Sequence, residues 1–168
     1  MPFSDADGAA RVSGLLVVGI GNPDRGDDAI GPMVARLLAG RVAPDVVVLE
    51  RSGDMVGLIE DWSGRDGVIL IDAAATADAP GTIHRVDLLH DVLPTGLTLA
   101  STHAFGVADA VGLARALGRL PGRLIVYAVA GTEFAPGAAP GAPVMAAAEP
   151  VAVRIAVELD RWIGLLQP

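Results

Sequence analysis

The chain contains no cysteine and no lysine. Without thiols there is no disulfide framework, no thiolate nucleophile and no cysteine-bound zinc, so any metal must be held by oxygen and imidazole. Without lysine, Schiff-base catalysis and a Walker-type phosphate-binding lysine are excluded. All twelve basic residues are arginine, which together with the abundance of Ala and Gly reads as coding bias. Apolar residues make up 52% of the sequence, yet no apolar run reaches the ~20 residues of a membrane span. The polar N-terminal stretch, with Asp5 and Asp7, lacks the basic-then-apolar layout of a secretory leader. A soluble cytoplasmic protein with no membrane partner is the expectation. The net charge of −8 argues against nucleic acid or anionic lipid as a partner.

What is present is an alternation of buried apolar runs and helical periodicity. The run from Leu15 to Ile20 suits a strand buried on both faces. Ile30, Met33, Val34, Leu37 and Leu38 then recur at helical spacing, with Gly40 as a stop. Val46 to Leu49 reads as a second strand, and Asp54 as the cap of a short helix carrying Met55, Leu58, Ile59 and Trp62. A third strand, Val68 to Ile71, ends at Asp72, and an edge strand over Thr82 to Val86 enters through Pro80-Gly81. The stretch from Asp87 to Thr102 carries mixed signals and receives no assignment. His103 opens a helix that ends near Gly118, and Leu124 to Val129 is a further buried strand. A loop rich in Gly, Ala and Pro follows, then a closing helix from Val144 to Leu166 that Pro150 splits or delays. The series predicts one domain over residues 1–168, with 1–13 a flexible tail. Its fold is α/β, three-layer and doubly wound, with a mostly parallel twisted sheet and helices on both faces.

In such a sheet, ligands bind beyond the carboxyl ends of the strands. The turn after the first strand, Gly19-Ile20-Gly21-Asn22-Pro23-Asp24-Arg25-Gly26-Asp27-Asp28, has the layout of a phosphate cradle but carries three carboxylates against one arginine. It would repel a pyrophosphate and attract a cation, and the third glycine of a dinucleotide fingerprint is replaced by Asp24. Asp27 and Asp28, Asp72 and His103 all fall at the same predicted edge. Two carboxylates and an imidazole leave coordination positions open, so an external ligand would complete the shell. Each also has a plainer reading: Asp27 or Asp28 as a helix cap, Asp72 as a post-strand turn residue, His103 as a packed histidine at a helix start. His84 and His90 read as solvated, and Asp109 as a structural polar residue of a helix surface. Glu133 and Phe134 begin a long loop on the functional edge. Neither Ser52 nor Ser101 has an evident base partner, so no serine triad is apparent.

Five blocks in order resemble the hydrogenase maturation proteases, endopeptidases that trim the C-terminus of the nickel-iron hydrogenase large-subunit precursor. They are Gly19-Ile20-Gly21-Asn22 with Gly26-Asp27-Asp28-Ala29-Ile30-Gly31-Pro32; Ser52-Gly53-Asp54; Leu70-Ile71-Asp72-Ala73; Ser101-Thr102-His103 with Phe105-Gly106-Val107-Ala108-Asp109; and Gly131-Thr132-Glu133-Phe134. The resemblance spans roughly Leu15 to Trp162. It implies that Asp28, Asp72 and His103 are the metal ligands and catalytic residues. It also implies that Asn22, Asp27, Gly53, Asp54, Glu133 and Phe134 contact the substrate. The implied metal is nickel, carried by the precursor rather than resident in the enzyme, and the implied state is a monomer. Nickel would either polarise the scissile carbonyl or activate water, or else act only as a recognition handle while a carboxylate serves as base. A non-catalytic nickel assembly factor would need the same ligands. The chain departs from the family pattern at Pro23-Asp24-Arg25 and at Asp54, which stands where threonine is usual.

Overall fold

The computed structural model describes residues 14–101 and 105–167. The expected tail, 1–13, and the predicted ligand His103 therefore lie outside the described residues. Leu15–Ile20 forms strand β1, fully buried along its length, as its unbroken apolar run requires of a central strand. Around it assemble β2 (Val47–Arg51), β3 (Gly67–Ala75), β4 (Ile83–Asp87), β5 (Thr98–Leu99) and β6 (Leu124–Gly131). The strand order is β2-β1-β3-β6-β4, with β5 paired to the far end of β3. The first four of these run parallel, and β4 and β5 add antiparallel pairings. This is the mostly parallel α/β sheet expected from the alternating pattern.

Period-two alternation decides the layers. Leu16, Val18 and Ile20 of β1 meet helices α2 (Met55–Trp62) and α3 (Val107–Ala116) on one face. Leu15 and Val17 meet α1 (Ile30–Leu38) and α4 (Ala142–Leu166) on the other. Helix α1 rests unusually close on β1. A Cβ at Gly31 would lie 2.1 Å from the carbonyl oxygen of Ile20, and one at Gly19 would lie 2.2 Å from that of Gly31. These two glycines are what lets the helix start directly against the strand.

Several boundaries differ from the sequence reading. Strand β3 does not end at Asp72 but continues to Ala75, because Ala73, Ala74 and Ala75 pair with β6 and β5 despite the low strand preference of alanine. The unassigned stretch contains β5, too short to leave a periodic trace. Helix α3 starts at Val107, with Asp109 accepting the Gly106 N–H at 3.0 Å, so the described helix begins beyond His103. Pro150 neither splits nor delays α4, which runs unbroken through it. The proline and Ala146, whose carbonyl loses its partner, are both exposed, so water can satisfy the freed group. Asp54 caps α2 as predicted, accepting the Gly57 N–H at 3.0 Å.

Candidate active site at the switch point

From β1 the chain steps outward to β2, then returns past β1 to β3. The order reverses between β1 and β3, and a crevice opens beyond the carboxyl ends of two parallel strands at such a point. Both predicted carboxylates sit there. Asp28 lies in the short 3-10 turn Gly26–Ala29 that follows β1, and Asp72 lies in β3, one residue past the Ile71 that pairs with Gly19.

The two side chains are held in the same manner. Asp28 Oδ2 accepts the Asn22 N–H at 2.8 Å, and Asp72 Oδ2 accepts both the Ser101 N–H, at 3.3 Å, and the Ser101 hydroxyl. In each case Oδ1 is buried and has no hydrogen-bond partner among the described residues. Buried carboxylate oxygens are rarely left so. Asp72 has no exposure and Asp28 only 8%. Burial pushes the Asp72 carboxyl up to about 8, assisted by the charge of Asp28 and opposed by the hydrogen bonds from Ser101. Two neighbouring carboxylates, each with one buried oxygen left unpartnered, form a site that a cation would complete.

Beside Asp28 opens a cleft of about 220 Å³. Arg25 and Asp28 form one side, Ala75, Leu99 and Ala100 another, and Phe134 closes it from the loop after β6. Arg25 Nε is buried without a partner among the described residues.

The other expected substrate contacts are distributed differently. Asp27 is 1% exposed, and its carboxylate is taken up by the amides of Thr132, Glu133 and Gly141, so it does not face the cleft as a free ligand. Burial alone would raise its pKa, but the hydrogen bonds from Glu133, Gly141 and Thr132 prevail and lower it. Asn22 folds its side chain onto the Asp24 N–H at 2.9 Å while its own amide serves Asp28. Asp54 is exposed and employed as a helix cap beside Gly53, whose φ of +105° requires glycine. Glu133 is exposed and accepts the Ala135 N–H, leaving Phe134 as the residue of this pair that lines the cleft.

Among the described residues no three His, Asp or Glu side chains gather. The structure thus brings Asp28 and Asp72 together, while the expected third ligand, His103, lies beyond what it describes. His84 is not fully solvated: it sits on β4 with Nε2 2.9 Å from Asp78 Oδ2, though without hydrogen-bond alignment, whereas the His90 side chain is 76% exposed. Ser101 and Arg25 were not foreseen as site residues. Ser101 does have a carboxylate partner, and its position two residues before His103 was the available signal. The amide of Asn22, which a bound phosphate would need, is already engaged by Asp28.

No family model matches the sequence. The chain is 33% identical over 119 residues to the hydrogenase 2 maturation protease of Escherichia coli K12, covering 68% of this chain and 71% of that protein. Among solved structures, the fold is similar to the hydrogenase maturating endopeptidase HybD from E. coli, with a TM-score of 0.70, 24% identity, and coverage of 88% of this chain and 92% of that one. It is also similar to the [NiFe] hydrogenase maturation protease HybD from Thermococcus kodakarensis, with a TM-score of 0.68, 25% identity, and coverage of 86% and 97%.

Proposed function

Because the chain belongs to the hydrogenase maturation proteases, and is thus a peptidase of the hydrolase class, we propose that it removes the C-terminal extension of a nickel-iron hydrogenase large-subunit precursor after nickel insertion. The observation that carries this reading is the pair of unpartnered oxygens, Asp28 Oδ1 and Asp72 Oδ1, at the switch point of the sheet. Together with His103 they engage the nickel that the precursor brings. Oxygen and imidazole donors suit that ion, and a three-residue set leaves room for ligands supplied by the substrate.

The free protein holds Asp72 largely protonated at neutral pH, so the buried pair avoids two adjacent charges. An arriving cation displaces that proton and removes the repulsion. The site therefore discriminates in favour of a metal-loaded partner, whose docking sets the neighbouring peptide segment in the cleft walled by Leu99 and Phe134. Holding a reacting bond in register is itself a large part of a catalytic effect.

An in vitro processing assay tests this reading. The nickel-loaded precursor is expected to be shortened and the nickel-free precursor left intact. Asp28→Ala and His103→Ala should lower the rate by about a hundredfold or more while the circular dichroism spectrum stays native. Equal processing of nickel-free precursor, or full activity in the His103 variant, would overturn the proposal.

A further inference from the structure

The first turn and the loop after β6 are far apart in sequence but are joined by a dense set of hydrogen bonds. Asp27 Oδ2 accepts the amides of Thr132 at 2.8 Å and Glu133 at 3.0 Å, and Oδ1 accepts that of Gly141 at 2.7 Å. The Asp27 N–H donates to the Glu133 carbonyl at 2.7 Å, Gly26 N–H to Ala138 at 2.9 Å, and Gly137 N–H to Asp24 at 2.7 Å. The two segments also touch so closely that side chains are excluded. A Cβ at Gly26 would lie 2.3 Å from the Glu133 carbonyl oxygen, and one at Gly131 would lie 2.7 Å from Asp27 Cβ. The 132–141 loop has no regular secondary structure of its own. One buried carboxylate thus gathers both of its ends.

We propose that Asp27 is a positioning residue: its carboxylate clasps the 132–141 loop so that Phe134 closes the substrate cleft beside Asp28. The inference rests on the peptidase reading for the identity of the substrate, but the clasp itself stands on the hydrogen bonds. Asp27 and Asp28 are adjacent and have opposite tasks. Asp28 leaves one oxygen unpartnered toward the site, whereas both oxygens of Asp27 are spent on backbone amides. Charge-assisted hydrogen bonds from several amides to one carboxylate are strong and directional, and a neutral or shorter side chain cannot reproduce all three. Released, the loop would carry Phe134 away from Leu99 and leave the cleft without its outer wall. The metal-facing oxygens of Asp28 and Asp72 would remain, since neither is bonded to the loop.

Three measurements on Asp27→Ala, Asp27→Asn and Phe134→Ala test the clasp. Amide hydrogen exchange at Thr132, Glu133 and Gly141 should accelerate strongly in Asp27→Ala. The increase should be smaller in Asp27→Asn, which keeps one acceptor oxygen, and absent in Phe134→Ala. With nickel-loaded precursor, KM should rise by about tenfold to a hundredfold in Asp27→Ala and in Phe134→Ala, with Asp27→Asn between wild type and Ala. Calorimetric titration of the free proteins with nickel chloride should give affinities within about twofold of wild type, because no metal-facing atom is altered. Unchanged exchange in Asp27→Ala, or processing at the wild-type KM, would overturn the proposal. So would loss of nickel affinity in parallel with processing, which would make Asp27 a support of the metal site instead. If the wild-type protein processes no nickel-loaded precursor, the substrate reading fails, and the exchange measurement alone decides the clasp.

Discussion

Asp72 is a carboxyl group in the middle of a buried strand, with no exposure and neighbours that are almost all apolar. Its elevated pKa means that the folded protein binds the Asp72 proton more tightly than the unfolded chain does. Stability from this group is therefore complete below the ordinary value of 3.8 and is lost as pH rises toward about 8. Asp72→Asn keeps an acceptor for the Ser101 hydroxyl and removes the ionisation. The variant is expected to match wild type near pH 4 and to exceed it progressively up to pH 8, by an amount on the order of a few kcal/mol. Denaturant titrations at a series of pH values would show this; a constant difference across that range would refute it. The same variant should lose processing activity, so stability and function oppose each other at this position. Binding of a cation near pH 7 should likewise release a proton.

At the scale of elements, the contact between β1 and α1 places Asp28. The 3-10 turn leads straight into α1, whose Gly31 backbone lies against the carbonyl of Ile20. Gly31→Ala would force the helix away from the strand, since the atom met is backbone and cannot swing aside. Overpacking of this kind costs about 1–3 kcal/mol or more, although alanine alone would favour the helix. The prediction is a net loss of stability of at least about 1 kcal/mol and weakened nickel binding, read by thermal melting and calorimetry. Gly112, on α3, has open space around it, and Gly112→Ala is the control expected to be neutral or stabilising. A Gly31→Ala protein as stable as wild type would show that α1 is free to shift, and with it Asp28.

Across the whole molecule, the edge strand is tied to the closing helix by a polar group placed over the apolar core. Arg85 of β4 forms a bidentate pair with Glu158 of α4, whose Oε2 also accepts the Tyr127 hydroxyl of β6 at 2.6 Å. Burial would raise the pKa of Glu158, but Arg85 and Tyr127 outweigh it and the net shift is downward. The stabilisation is thus present above the ordinary value of 4.5 and is lost as pH falls through the depressed one. Glu158→Gln should destabilise the fold by about 1–3 kcal/mol at pH 7 and progressively less in acid. Chemical denaturation at pH 7 and pH 3 distinguishes this from a pH-independent packing defect. Because Arg85, Tyr127 and Glu158 take no part in the hydrogen bonds that hold Asp27, Asp28 and Asp72, processing per folded molecule should not change.

Composition, spacing and period were enough to determine the alternating strands and helices, the central position of β1, the cap at Asp54 and the shared edge of Asp28 and Asp72. These features follow from local hydrophobic patterning and from a general rule about parallel sheets, neither of which needs coordinates. Tertiary structure alone decided the division of labour between Asp27 and Asp28, because two adjacent carboxylates look alike until their hydrogen-bond partners, more than a hundred residues onward in the case of Asp27, are known. It decided equally that Ser101 anchors Asp72, that three alanines extend β3, and that Pro150 sits harmlessly on an exposed helix face. In each case the deciding interaction joins segments distant along the chain or depends on which side of an element meets water, and a linear pattern records neither.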